Sequence, residues 1–173
     1  MRAAQQISFA RPSTFRMKAF PIISVVLASA LPAMLPIIAQ FPLLPPFGLI
    51  LFVAWRLIRA ELWPSWIGIP LGFWDDLFSG QPFGSGILLW TIIVLAFEFA
   101  DRILVWRDWW VDWLMAAAAI AFGIAGGLVI IGFTGTPASM EIIVPQLVWS
   151  IFTYPLVTRL VAVLDRWRIG RNN

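Results

Sequence analysis

The residues most able to carry out chemistry are two adjacent aspartates, Asp75 and Asp76, which follow an apolar segment and precede a turn-rich run. Carboxylates at the end of a hydrophobic segment cost free energy, so they indicate a proton relay, a cation site or a partner contact. The simpler alternative is a solvated turn at a membrane surface. A magnesium–diphosphate site needs further carboxylate oxygens, as in DDxxD, but the fifth position here is Ser79. The sequence therefore disfavours a magnesium-dependent transferase.

The residue types that the chain lacks restrict the chemistry further. It contains no cysteine and no histidine. These absences exclude disulfides, thiolate metal sites and cysteine nucleophiles, and they remove the commonest general base and metal ligand. No Gly-Lys-Ser/Thr sequence occurs, so a phosphate-binding P-loop is excluded as well. These absences count against most hydrolytic and metal-dependent chemistry, and we expect no metal and no cofactor.

The elements that must position the aspartates are long apolar segments. Of the 173 residues, 61% are hydrophobic and only 12% are charged, which is far from the composition of a soluble domain. Several apolar runs approach or exceed the ~20 residues that cross ~30 Å of hydrocarbon. The sequence predicts an all-α integral membrane protein, a six-helix bundle with spans near 19–40, 47–60, 62–78, 85–100, 113–133 and 141–164.

The first span has a competing interpretation, because a basic start followed by an apolar core is also typical of a cleaved signal peptide. A retained span is favoured, since the apolar run continues well past Ala33. The predicted organisation is then a basic cytoplasmic segment at 1–18, a membrane domain at 19–164 and a basic cytoplasmic tail at 165–173.

The distribution of basic residues predicts the orientation of these spans. All twelve lie in alternate connecting segments, 1–18, 56–61, 101–112 and 159–173. Positively charged segments remain in the cytoplasm, so both termini are predicted to be cytoplasmic. Arg56 and Arg59, at the end of the second span, are predicted to extend to the membrane interface. The high pI therefore indicates a lipid bilayer rather than a nucleic acid as the partner.

Small residues recur at four-residue spacing on two predicted spans, a pattern that allows helix backbones to approach closely. These residues are Gly68 and Gly72 on the third span, and Ala119, Gly123 and Gly127 on the fifth. Packing within the bundle is the favoured interpretation, although a partner's helix would fit the same surfaces. Gly80 and Gly84 follow the aspartates, where a tight turn with positive φ is expected.

Two motifs together resemble a known family. The first is the run Gly68, Gly72, Asp76, Leu77, Phe78, Ser79, Gly80, Pro82, Phe83 and Gly84; the second is PQL…YPLV…LDRWR between Pro145 and Arg168. With six predicted spans and a basic N-terminus, they make the chain similar to the rod shape-determining protein MreD family. Asp76 aligns with the aspartate of the family motif, whereas Asp75 is an additional carboxylate.

This resemblance implies a non-enzymatic inner-membrane subunit of the bacterial cell-elongation machinery, which makes peptidoglycan. Its expected partner is an MreC-like single-pass membrane protein, with a RodA-type glycosyltransferase and a penicillin-binding transpeptidase in the wider complex. The implied partner-binding or structural residues are Asp75, Asp76, Gly80, Pro82 and Gly84 at a periplasmic turn, with Gly68 and Gly72 packing the third span. Both aspartates are expected to lie within reach of water at this turn.

The resemblance also implies a fold similar to the substrate-binding subunits of energy-coupling-factor transporters. The alternative function is therefore a vitamin-binding subunit of such an importer. That role needs a polar pocket between helices near the outer face. The candidates to line it are Gln40, Asp75, Asp76, Gln81, Glu141 and Gln146.

Overall fold

The computed structural model describes residues 14–34, 44–104, 106, 108–133 and 140–170. The predicted all-α class is confirmed, since this part of the chain contains helices and no β-strand. The six α-helices are α1 (Thr14–Met34), α2 (Phe47–Ile58), α3 (Gly68–Ser79), α4 (Ser85–Ile103), α5 (Trp109–Phe133) and α6 (Met140–Gly170).

Helix α2 forms the centre of the bundle. Its residues from Gly48 to Arg56 are buried without interruption, as expected for a helix that is hydrophobic on every side. Trp55, Phe52 and Ile50 are among the largest fully buried side chains. With 12 residues, this helix is about 18 Å long at ~1.5 Å per residue. It is therefore shorter than the hydrocarbon core of a bilayer.

Helix α3 begins later than the sequence indicated. The third span was predicted from Leu62, but the α-helix starts at Gly68, after two 3₁₀ turns at Ala60–Leu62 and Ser65–Ile67. Pro64 explains the difference, because proline disfavours a helical conformation in the residue before it. Trp63 is accordingly extended, with φ −110° and ψ 107°.

Two helices are long and apolar enough to cross a membrane. They are Trp109–Phe133 and, within α6, Ile143–Arg168, and only about a fifth of the residues in their apolar windows are buried. Exposed aromatic and aliphatic side chains such as Trp149, Phe152 and Leu156 cover the outer side of α6. Apolar surface of this extent is unusual on a soluble monomer, so the fold is compatible with a lipid environment.

Ion pairs join the helices at one end of the bundle, which we call the basic end. Arg56 donates a 2.7 Å hydrogen bond to Asp101 on α4, and Arg59 bonds Asp165 on α6 at 2.9 Å. The prediction that Arg56 extends to the interface is wrong, because this residue is only 3% exposed. Helix α2 ends between α4 and α6, and a buried guanidinium there needs a carboxylate partner.

Candidate functional site

The opposite end of the bundle, which we call the corner end, contains the turn between α3 and α4. Asp76 lies on α3, and its two carboxylate oxygens accept hydrogen bonds from the backbone N–H groups of Gly84 at 2.9 Å and Gly86 at 2.6 Å. The hydroxyl of Ser85 lies 3.2 Å away. The first N–H groups of a helix have no partner within it. Asp76 therefore caps α4 from the preceding helix.

The predicted exposure of Asp76 to water is not observed, since this residue is 6% exposed. The reason is the close packing of α3 against α4. A Cβ atom at Gly72 would overlap the carbonyl oxygen of Gly86, and one at Gly68 would lie 2.7 Å from the Cα of Thr91. The GxxxG pair, Gly68 and Gly72, thus lets the backbones of α3 and α4 pack closely within one chain. This packing excludes water from the carboxylate of Asp76.

The turn itself uses the predicted residues in distinct roles. Gly80 ends α3 with φ 67°, and Gly84 precedes α4 with φ 98°. Positive φ values are readily adopted only by glycine. The carbonyl of Pro82 accepts a 3.0 Å hydrogen bond from the N–H of Ser85. These three residues reverse the chain direction and place the N-terminus of α4 over Asp76.

The small residues on α5 receive side chains rather than another helix backbone, which differs from the prediction. A Cβ at Gly123 would lie 2.5 Å from Cδ2 of Leu49, and one at Gly127 would lie 2.9 Å from the side-chain amide of Gln81. Ala119 is buried one turn earlier. The ridge on α5 therefore accommodates α2 and the α3–α4 turn.

Asp75 has different surroundings from its neighbour. It lines a cavity of about 160 Å³ together with Gln81 and Gln146. The hydroxyl of Ser29 and the indole of Trp90 are the polar side-chain groups that favour its ionised carboxylate. The remaining wall is mainly aliphatic, from α2, α4 and α5. The polar groups therefore converge at one side of an apolar cavity.

Three of the six predicted pocket residues thus lie together, namely Asp75, Gln81 and Gln146. Asp76 lies in the cap at the start of α4 instead. Gln40 and the side chain of Glu141 lie outside the described residues. The amide nitrogen of Gln146 donates to the carbonyl of Leu44 at 2.9 Å, which leaves its own carbonyl oxygen as an acceptor.

Sequence reasoning missed Ser29 and Trp90. Both are polar-capable residues within apolar helices, and a buried indole usually finds a partner for its N–H. That rule predicts a polar partner for Trp90, but only the packing of α3 beside α4 shows that this partner is Asp75. Among the residues that the structure describes, no group of three or more His, Cys, Asp or Glu side chains could hold a metal ion.

The fold and the site together define a helical protein with membrane-compatible helices, a capped corner and a small polar pocket. Comparisons with protein-family models, with curated proteins and with solved structures found no match to this chain.

Proposed function

We propose that the protein is a six-span membrane protein with both termini in the cytoplasm, and that it serves as a non-enzymatic subunit of the bacterial cell-elongation complex. In this role it binds an MreC-like single-pass protein and, through the wider complex, a RodA-type glycosyltransferase and a penicillin-binding transpeptidase. The proposal rests on the resemblance to the MreD family, and the location is the bacterial inner membrane.

The single observation that best supports this role is that the family-like motif forms one structural unit. Its glycines pack α3 on α4, and Asp76 caps α4. Meanwhile its aromatic and aliphatic side chains face outwards. Phe73, Leu77 and Phe83 are 45%, 51% and 67% exposed, and the rings of Phe73 and Phe83 pack edge to face with centroids 5.4 Å apart. A rigid corner with an apolar outer face is suited to contact a partner's membrane helix.

The charges support the proposed orientation. Every arginine whose side chain is described lies at the basic end, where α2, α4 and α6 finish: Arg56, Arg59, Arg102, Arg159, Arg166 and Arg168. The α3–α4 turn at the corner end contains no basic residue. The positive-inside rule then assigns the corner end to the periplasm.

The test is site-specific photocrosslinking in native membranes, with the photoreactive residue at Phe83 or Leu77. We expect both positions to capture the MreC-like protein. Phe152, which is equally apolar and exposed on α6, serves as the matched control and should capture much less. Equal capture from all three positions, or no capture from the corner, would contradict the proposed contact.

The second candidate function is that of a solute-binding subunit of an energy-coupling-factor importer, and it is supported by the meeting of Asp75, Gln81 and Gln146 on one cavity. The cavity of about 160 Å³ is smaller than the ~300–1,000 Å³ that holds drug-sized ligands. A vitamin would therefore require the pocket to expand. Co-purification with a transporter ATPase rather than with cell-wall synthases would favour this alternative over the first proposal.

A further inference from the structure

The two adjacent aspartates are used in different ways. Successive residues on an α-helix are about 100° apart around its axis, so neighbouring side chains meet different surroundings. Asp76 accepts hydrogen bonds from the start of α4, where the helix dipole favours negative charge. Asp75 lines the cavity instead, and the polar groups that favour its ionised form, those of Ser29 and Trp90, are both uncharged.

No positive charge balances Asp75 within the part of the chain that the structure describes. The ion pairs there join Arg56, Arg59 and Arg168 to acids at the basic end. The sequence contains no Lys or Arg between residues 60 and 101, nor between 108 and 158, and those ranges supply most of the cavity wall. A carboxylate among apolar groups is unfavourable unless it is paired. The described part of the chain supplies no counter-charge for Asp75, so a cationic ligand would fill that role.

The other lining residues indicate what kind of cation would fit. Gln81 and Gln146 line the same cavity as Asp75. The side-chain carbonyl oxygen of Gln81 accepts from the Ser85 hydroxyl at 3.3 Å, but an amide oxygen has two acceptor sites, and a primary ammonium group has three N–H donors. One carboxylate matches one positive charge, whereas Mg²⁺ or Ca²⁺ is usually held by more oxygen ligands. Aliphatic side chains such as Leu89 and Leu128 line the remainder, and they would contact a hydrocarbon body.

The size of the cavity limits the ligand. A volume of about 160 Å³ is below the ~300–1,000 Å³ of sites that hold drug-sized ligands, so it favours a small ligand. A primary amine with a short hydrocarbon chain fits this space, but a polycyclic vitamin does not.

From these observations we infer that the pocket at the corner end binds a small primary ammonium ion with a short apolar body, with Asp75 as its counter-ion and Gln81 and Gln146 as additional acceptors. The site goes beyond the proposed role in cell elongation and does not depend on it. In the proposed orientation it takes its ligand from the periplasmic side.

The test uses the full chain in lipid nanodiscs near neutral pH, with n-butylammonium chloride as the probe in isothermal titration calorimetry. We expect saturable binding to the wild type. Asp75→Asn keeps the size of the side chain but removes its charge, and should weaken binding about tenfold or more. The matched control Glu98→Gln removes one carboxylate that lies on α4 away from the cavity, and should leave the affinity unchanged.

A second variant tests whether the cavity holds the probe, and two further probes test whether binding requires a positive charge. Leu128→Phe reduces the cavity volume without changing charge, and should weaken binding while the thermal unfolding temperature stays near that of the wild type. Butan-1-ol and butyrate, which match the probe in size but not in charge, should not bind. Absence of saturable binding, equal affinity in Asp75→Asn, or equal binding of butan-1-ol would each overturn the inference. None of these results would affect crosslinking at Phe83, so the two proposals fail independently.

Discussion

The backbone N–H of Gly86 donates a 2.6 Å hydrogen bond to Oδ1 of Asp76, ten residues earlier in the chain. The other carboxylate oxygen accepts from Gly84, so a side chain of α3 completes the N-terminus of α4. The unpartnered N–H groups and the dipole of α4 stabilise the buried negative charge. The two helices and their turn are therefore expected to fold as one unit.

Replacement of Asp76 by alanine should destabilise the protein strongly. The substitution leaves the buried N–H of Gly86 and the partly buried N–H of Gly84 without their acceptor, and loss of the acceptor of a buried group costs about 1–3 kcal/mol. We expect a lower free energy of unfolding, measured by denaturant titration in mixed micelles. Glu98→Ala, which removes a half-buried carboxylate elsewhere on α4, is the control. Equal effects of the two substitutions would show that the cap contributes no stability.

The close approach of α3 and α4 can be tested with two glycines. Gly72→Ala places a methyl group against the backbone carbonyl of Gly86, where neither helix can yield easily. Overpacking of this kind costs about 1–3 kcal/mol. Gly132→Ala, on α5, meets no atom within 4 Å and should be neutral or slightly stabilising, because alanine favours a helix over glycine. If both substitutions had the same effect on thermal unfolding, the α3–α4 contact would not be as tight as described.

The partly buried ion pair at the basic end predicts coupling between two substitutions. Arg56 is bonded to Asp101 at 2.7 Å, and loss of one partner costs about 3–5 kcal/mol in a fully buried pair and less where one partner is partly exposed. Arg56→Met and Asp101→Asn should each destabilise the protein. The double variant should lose less stability than the sum of the two, since neither charge is then left alone. Strict additivity in a double-mutant cycle would contradict a direct interaction.

The proposed orientation is testable because the natural chain contains no cysteine. A single cysteine at Phe83, on the exposed side of the α3–α4 turn, should react with a membrane-impermeant maleimide added to intact cells. A cysteine at Trp106, which is 88% exposed between α4 and α5, should react only after the membrane is permeabilised. The reverse pattern would invert the orientation and place the pocket on the cytoplasmic side.

The ends of the helices were predicted well where apolar runs and turn residues mark them in the sequence. The fourth and fifth spans were predicted at 85–100 and 113–133, and the helices run from Ser85 to Ile103 and from Trp109 to Phe133. Long apolar runs and a glycine-rich turn sufficed there. The start of α3 was misplaced, because Pro64 interrupts a run whose hydrophobicity continues through it.

Side-chain contacts between different helices of the bundle were much less predictable from the sequence. Arg56 has the sequence context of a residue that extends to an interface, yet its guanidinium is buried against Asp101. The position of Arg56 depends on where the end of α2 lies relative to α4 and α6. Side-chain packing between the helices decides this, rather than the residues close to Arg56 in sequence.

The sequence by itself determined the helical class, the asymmetric charge distribution and the place of the corner, because hydrophobic runs, basic residues and turn glycines act locally. Only the tertiary structure decided what each aspartate does. Asp75 and Asp76 are chemically identical neighbours. The glycines of α3 allow α4 to come close enough to cap its N-terminus with Asp76, and the helical rotation then directs Asp75 into the cavity beside Gln81 and Gln146.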